Sequence, residues 1–100
     1  AIVASTDEIA IGSIKCLLQH NYKIPEDIAV SGHDGIRLSY LFDPSITTQS
    51  IPIPEVCRTS IDLLLNKIER PGSKNRQAVF STNLIEGRST NPNAPNIIHL

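Results

Sequence analysis

The spacing of apolar residues changes along the chain, and each change predicts an element. Ala1 to Ala4 is a short apolar run of the kind that fits a strand covered on both faces. Ser5-Thr6-Asp7-Glu8 follows as a capping box, in which the Ser5 hydroxyl accepts from the Glu8 backbone and Glu8 reaches back, so a helix is predicted to start there. From Ile9 to Leu18 only Ser13 and Lys15 are clearly polar, and Ile9, Ile11, Ile14, Leu17 and Leu18 cover more of the circumference than one buried stripe needs. This helix is therefore expected to pack on two sides and to end near Asn21. Ile24 to Asp27 reads as a polar turn, and Ile28 to Ser31 as a second strand closed by Gly32. Strand, helix and strand within about 30 residues form a βαβ unit with an expected right-handed crossover, which sets the class as α/β with a mainly parallel sheet.

Beyond Gly35 the pattern weakens. Leu38 to Phe42 fits one helical turn ended by Asp43-Pro44, and Ile46 to Ile51 reads as a third extended segment. Pro52 and Pro54 lead into a second helix, proline being tolerated in a first turn. Its apolar face carries Ile53, Val56, Cys57, Ile61, Leu64, Leu65 and Ile68, and its polar face Glu55, Arg58, Asp62, Asn66 and Glu69. Pro71-Gly72 stops it, residues 73–76 form a solvated loop, and Gln77 to Ile85 reads as a strand-like region broken at Asn83. The polar stretch from Thr90 to Asn96, with two prolines, predicts poor order.

Composition narrows the function more than the fold. A net charge of −1 gives no footprint for nucleic acid, whose phosphates need clustered Lys and Arg. No apolar run approaches the roughly 18 residues of a membrane-spanning helix. The absence of methionine, with an opening that reads as mid-strand, suggests a chain that starts inside a longer one, which would also hide any signal peptide. Cys16 and Cys57 are 41 residues apart in no metal-binding spacing, and read as small buried hydrophobes in a reducing cytosol, with a disulfide or reactive thiol as the alternative.

Ligands of parallel α/β sheets bind beyond the carboxyl ends of the strands, which here means residues 5–7, 32–35 and the region around Ile51. Asp34, beside Gly32 and Gly35, can accept two hydrogen bonds from neighbouring hydroxyls of a sugar-like ligand, or can simply cap a turn. His33 beside it invites a catalytic reading, but neighbours on a strand end tend to point apart, and a general base needs an orienting partner and a nucleophile. No metal-hydrolase, nucleophile-elbow or phosphate-loop motif is present, and His20 and His99 carry no assigned chemistry.

Several strings together resemble the effector-binding domain of LacI/GalR repressors: Ser5-Thr6-Asp7, Ala10-Ile11-Gly12, Pro25 through Asp34, Ile46-Thr47-Thr48, and Leu84 through Ser89. The resemblance implies an incomplete type I periplasmic-binding-protein-like α/β fold, a parallel sheet flanked by helices, over residues 1–90. In it, 1–51 and 81–90 share one subdomain, 52–80 cross to the other, and 91–100 are a flexible tail.

The resemblance further implies an effector, a sugar or purine-like molecule, bound through Asp34 and Thr6 with His33, Ile51 and Ile53 at the pocket. Thr6 stands where the family has Asn, His33 where it has another aromatic, Ile51 where it is often polar and Gly87 where Arg is usual. A homodimer interface is implied at Ile11, Ile14, Lys15, Leu41 and Phe42, and operator DNA contact only through a helix-turn-helix outside this chain. The expected protein is a cytoplasmic, non-enzymatic regulator without cofactor or metal. The rival readings are a periplasmic sugar-binding protein, which should be monomeric, an α/β enzyme using His33 and Asp34, and a nonfunctional remnant. The Leu64, Leu65 and Ile68 face should lie bare in this chain, because the sheet it would cover is mostly absent.

Overall fold

A computed structural model describes residues 1–95; the last part of the expected tail and His99 lie outside the described residues. The chain forms two compact units, one of Ala1–Ser50 with the segment from Asn83 on, and one of Ile51–Thr82.

In the first unit β1 (Ile2–Val3), α1 (Asp7–Gln19) and β2 (Val30–Ser31) make the expected βαβ unit, with β1 and β2 parallel and Ile2 opposite Val30. A short α2 (Arg37–Leu41) leads to β3 (Thr48–Ser50), which pairs antiparallel with β4 (Asn83–Ile85). Parallel bridges Ser31 to Thr47 and Asp34 to Ser50 set β3 alongside β2 and the turn that follows it. Ala4, Ala10, Ile14, Val30 and Ile46 form the buried core, and Ile2, Ile11, Leu17, Ile24, Ile28 and Phe42 pack partly against it.

Two of the motif strings hold this sheet together through buried hydroxyls. Ser89 Oγ donates to the Val30 carbonyl at 2.6 Å and accepts from the Thr47 amide at 2.9 Å. Thr47 Oγ1 accepts from the Gly87 amide at 2.8 Å and lies 3.0 Å from the Gly87 carbonyl. A Cβ at position 87 would sit 2.5 Å from the Ile46 carbonyl carbon, so any other residue there requires the backbone beside it to shift. Beside it, Arg88 Nη2 donates to Asp43 Oδ1.

Several expectations need correction. The cap of α1 is Thr6, whose Oγ1 accepts from the Ile9 amide at 3.3 Å, one residue later than the capping box at Ser5 would have it. Of the strand expected from Gln77, only Asn83–Ile85 is strand, so Asn83 begins the element it was expected to break. Asn91 to Ala94 form a turn, with the Ala94 amide on the Asn91 carbonyl at 3.0 Å and Ala94 buried, where composition suggested a loose tail. Both cysteines are exposed rather than buried, Cys16 Sγ lying 3.9 Å from His20 Nδ1.

The second unit is α3 (Ile53–Glu69) and its loop. Lys67 Nζ donates to the Ser73 carbonyl at 2.7 Å and to Asn75 Oδ1 at 3.2 Å, tying the loop back to the helix. No residue of α3 is buried, and Ile53, Ile61, Leu64, Leu65 and Ile68 are all at least half exposed. The half-buried positions are Val56, Thr59, Leu63 and Asn66, a stripe at helical spacing that is mostly distinct from the apolar face.

Candidate functional site

The carboxyl ends of β1, β2 and β3 come together in the first unit. β1 runs into the start of α1, where Thr6 caps the helix and Asp7 is its first residue. β2 runs into the turn 32–36, and β3 lies along the far side of that turn. The Asp7 amide donates to the His33 carbonyl at 2.9 Å, and the Asp34 amide to the Gln49 carbonyl at 3.0 Å. The Gly35 amide donates to Thr48 Oγ1 at 3.1 Å, and the Ile36 amide to Asp7 Oδ2 at 2.8 Å. Each residue from His33 to Ile36 thus has a backbone group fixed by a neighbouring element.

The turn is tight for a reason visible in its dihedrals. Gly35 has φ 70°, and a Cβ there would lie 2.7 Å from Ser50 Cα. Asp34 has φ 103°, a region that a residue with a Cβ rarely occupies, that costs on the order of 1–3 kcal/mol and that persists only where the surroundings impose it. That backbone brings two neighbouring side chains together. His33 Nδ1 lies 3.0 Å from Asp34 Oδ1, and both side chains keep more than a third of their surface open. The expectation that the two point apart on a strand end is therefore corrected: the strand has ended, and the positive φ of Asp34 turns its carboxylate toward the imidazole. The arrangement offers an accessible carboxylate with one oxygen engaged, an imidazole and the Thr6 hydroxyl, groups able to bond the hydroxyls of a polar ligand. Among the described residues no group of three His, Cys, Asp or Glu is placed to hold a metal ion.

Thr6, His33 and Asp34 are brought to one end of the sheet, whereas Ile51 and Ile53 belong to the second unit. There Ile51 is half-buried, its carbonyl accepts from the Ile53 amide at 2.8 Å, and the Ile53 side chain is exposed. Of the expected interface residues, Ile14 is fully buried in the core and cannot face a partner, because the position one helical turn from Ala10 points at β2. Ile11 and Phe42 are half-buried against that core, while Lys15 and Leu41 are exposed. The sequence places Asp7 in the polar cap of the helix, in the Ser5-Thr6-Asp7 string and among residues 5–7 at the strand ends; its burial and its bond to residue 36, 29 positions away, have no local signal.

The profile of the periplasmic binding protein-like domain matches residues 1–90, and the chain belongs to that family. Its relatives within the family are transcriptional regulators of the LacI type. The chain is 36% identical over 86 residues to the HTH-type transcriptional regulator MalR of Clostridium butyricum, covering 86% of this chain and 25% of that protein. It is 31% identical to the ribose operon repressor of Escherichia coli K12, covering 86% of this chain and 26% of the repressor. A LacI family regulator from Enterococcus faecium, solved with bound ribose, superposes with a TM-score of 0.81 at 32% identity, covering 90% of this chain and 34% of that one. The chain thus spans about a quarter of the length of the curated relatives it matches. No helix among the described residues is long and apolar enough to cross a membrane.

Proposed function

We propose that this chain is the effector-binding and dimerising portion of a cytoplasmic LacI-type transcriptional regulator that responds to a sugar. The observation that carries the reading is the turn after β2, in which Asp34 is held at φ 103° with its carboxylate accessible at the strand ends, where α/β sheets bind ligands. Asp34 and His33 bond ligand hydroxyls, assisted by the Thr6 hydroxyl. The regulators it resembles, one of them solved with ribose, favour a sugar among the polar ligands such groups can hold.

Ligand stabilises one state of the complete sensor, and the dimer passes that difference to DNA-binding heads outside this chain, a population shift whose size is set by the ligand's preference for that state. The exposed Lys15 and Leu41, with the half-buried Ile11 and Phe42, mark the partner-facing side. The protein binds its ligand without transforming it.

A thermal-shift screen of the full-length protein against pentoses, hexoses, disaccharides and purines, repeated with Asp34→Ala, tests the reading. A rise in melting temperature with one compound, lost in the variant, is expected. At saturating ligand, about a hundredfold over Kd, the stabilisation is about 2.7 kcal/mol. Stabilisation that survives in Asp34→Ala would remove Asp34 from the site.

A further inference from the structure

We infer that Asp7 is the positioning residue of the effector site, holding the 33–36 turn in its ligand-competent shape; this rests on the reading of Asp34 as a ligand contact. Asp7 is fully buried at the first residue of α1, and it grips the turn at both ends. Its amide donates to the carbonyl of His33, where the turn begins, and its Oδ2 accepts from the amide of Ile36, where the turn ends. Between these anchors lie Asp34 at φ 103° and Gly35 at φ 70°. A non-glycine residue relaxes from such a conformation unless its neighbours over-determine it. β3 holds the middle of the turn from one side, and the Asp7 grip holds its ends from the other.

Two further features set Asp7 apart from an ordinary helix-start aspartate. Its Oδ1 is buried with no hydrogen-bond partner, a cost that a fold seldom carries without a return. A Cβ at position 32 would overlap that same oxygen, so glycine at 32 is what lets the carboxylate reach the turn. Asp7 itself touches no ligand. It sets the fraction of molecules in which Asp34 is presented, and apparent affinity scales with that fraction.

The test uses the full-length protein with D-ribose as probe, in wild type, Asp7→Ala and Asp7→Asn, with Ile14→Val as a destabilised control remote from the turn. Two quantities are measured: the calorimetric Kd, and the Asp34 amide and Cα chemical shifts in aspartate-labelled protein without ligand. The Asp34 shifts are expected to leave their wild-type positions in both Asp7 variants, and the Kd for D-ribose to rise at least about tenfold. Ile14→Val should lower stability while changing neither. Asp7→Asn, nearly isosteric, keeps the test alive should Asp7→Ala not fold. Unchanged Asp34 shifts would overturn the inference, as would changed shifts with an unchanged Kd. If wild type gives no binding signal with D-ribose, the sugar reading loses that ligand, and the Asp34 shifts alone decide whether Asp7 holds the turn.

Discussion

The two units carry apolar residues at helical spacing in similar density, yet only one of the two long helices buries any. α1 places Ala10 and Ile14 in a core with Val30 and Ile46, because β2 returns parallel to β1 and lays its apolar side under the helix. α3 has a cleaner one-sided pattern and buries nothing, with Leu64, Leu65 and Ile68 between 50% and 64% exposed. The amphipathic pattern therefore states which face of a helix requires a partner, and the partner for α3 is not among the described residues. An apolar face of this kind binds whatever apolar surface it meets.

The sharpest way to break this comparison is a pair of truncations. Ile14→Ala should destabilise the 100-residue chain by about 2–5 kcal/mol in urea unfolding, because the cavity cannot refill. Leu64→Ser should change stability by no more than about 0.5 kcal/mol and reduce binding of a hydrophobic dye. Equal losses in the two would mean that α3 is covered after all. A smaller effect separates two glycines. Gly87→Ala pushes a methyl against the backbone of Ser45 and Ile46, which must move to admit it, at about 1–3 kcal/mol. Gly72, with open space around it, should accept alanine with little change in melting temperature. The smallest effect belongs to the surface pair: Asp43→Ala removes the partner of Arg88, and with Asp43 82% exposed the loss should stay below about 1 kcal/mol and shrink further in salt.

Much of the first unit was legible because its signals are local. The apolar run at the start, the polar cap and the Gly32 stop lie within a few residues of the elements they define, and β1, α1 and β2 form where they predict. The choice of Thr6 over Ser5 as cap was less legible, since both carry hydroxyls and the decision depends on where β1 delivers the chain. The site divides in the same way. Asp34 could be singled out by its place between two glycines after a strand, but its contact with His33 depends on a backbone dihedral that no residue pattern encodes. Ile14 meets the sheet rather than a partner, and a helix that is apolar on two sides gives no local sign of which side does so.

By itself the sequence determined the class of the protein: the βαβ order, the one-sided character of α3, and the strings from Pro25 to Asp34 and from Ile46 to Thr48 that mark its family. Only the tertiary structure decided which of these residues serve the fold and which remain free to meet a ligand. Thr47, Ser89 and Gly87 are consumed by the sheet, and Asp7 by the turn, while Asp34 and His33 stay accessible. The reason is physical. Periodicity and capping act over one or two turns of chain, whereas burial of a hydroxyl or a carboxylate is settled by partners 29 to 59 positions away, which only the folded chain brings within hydrogen-bonding distance.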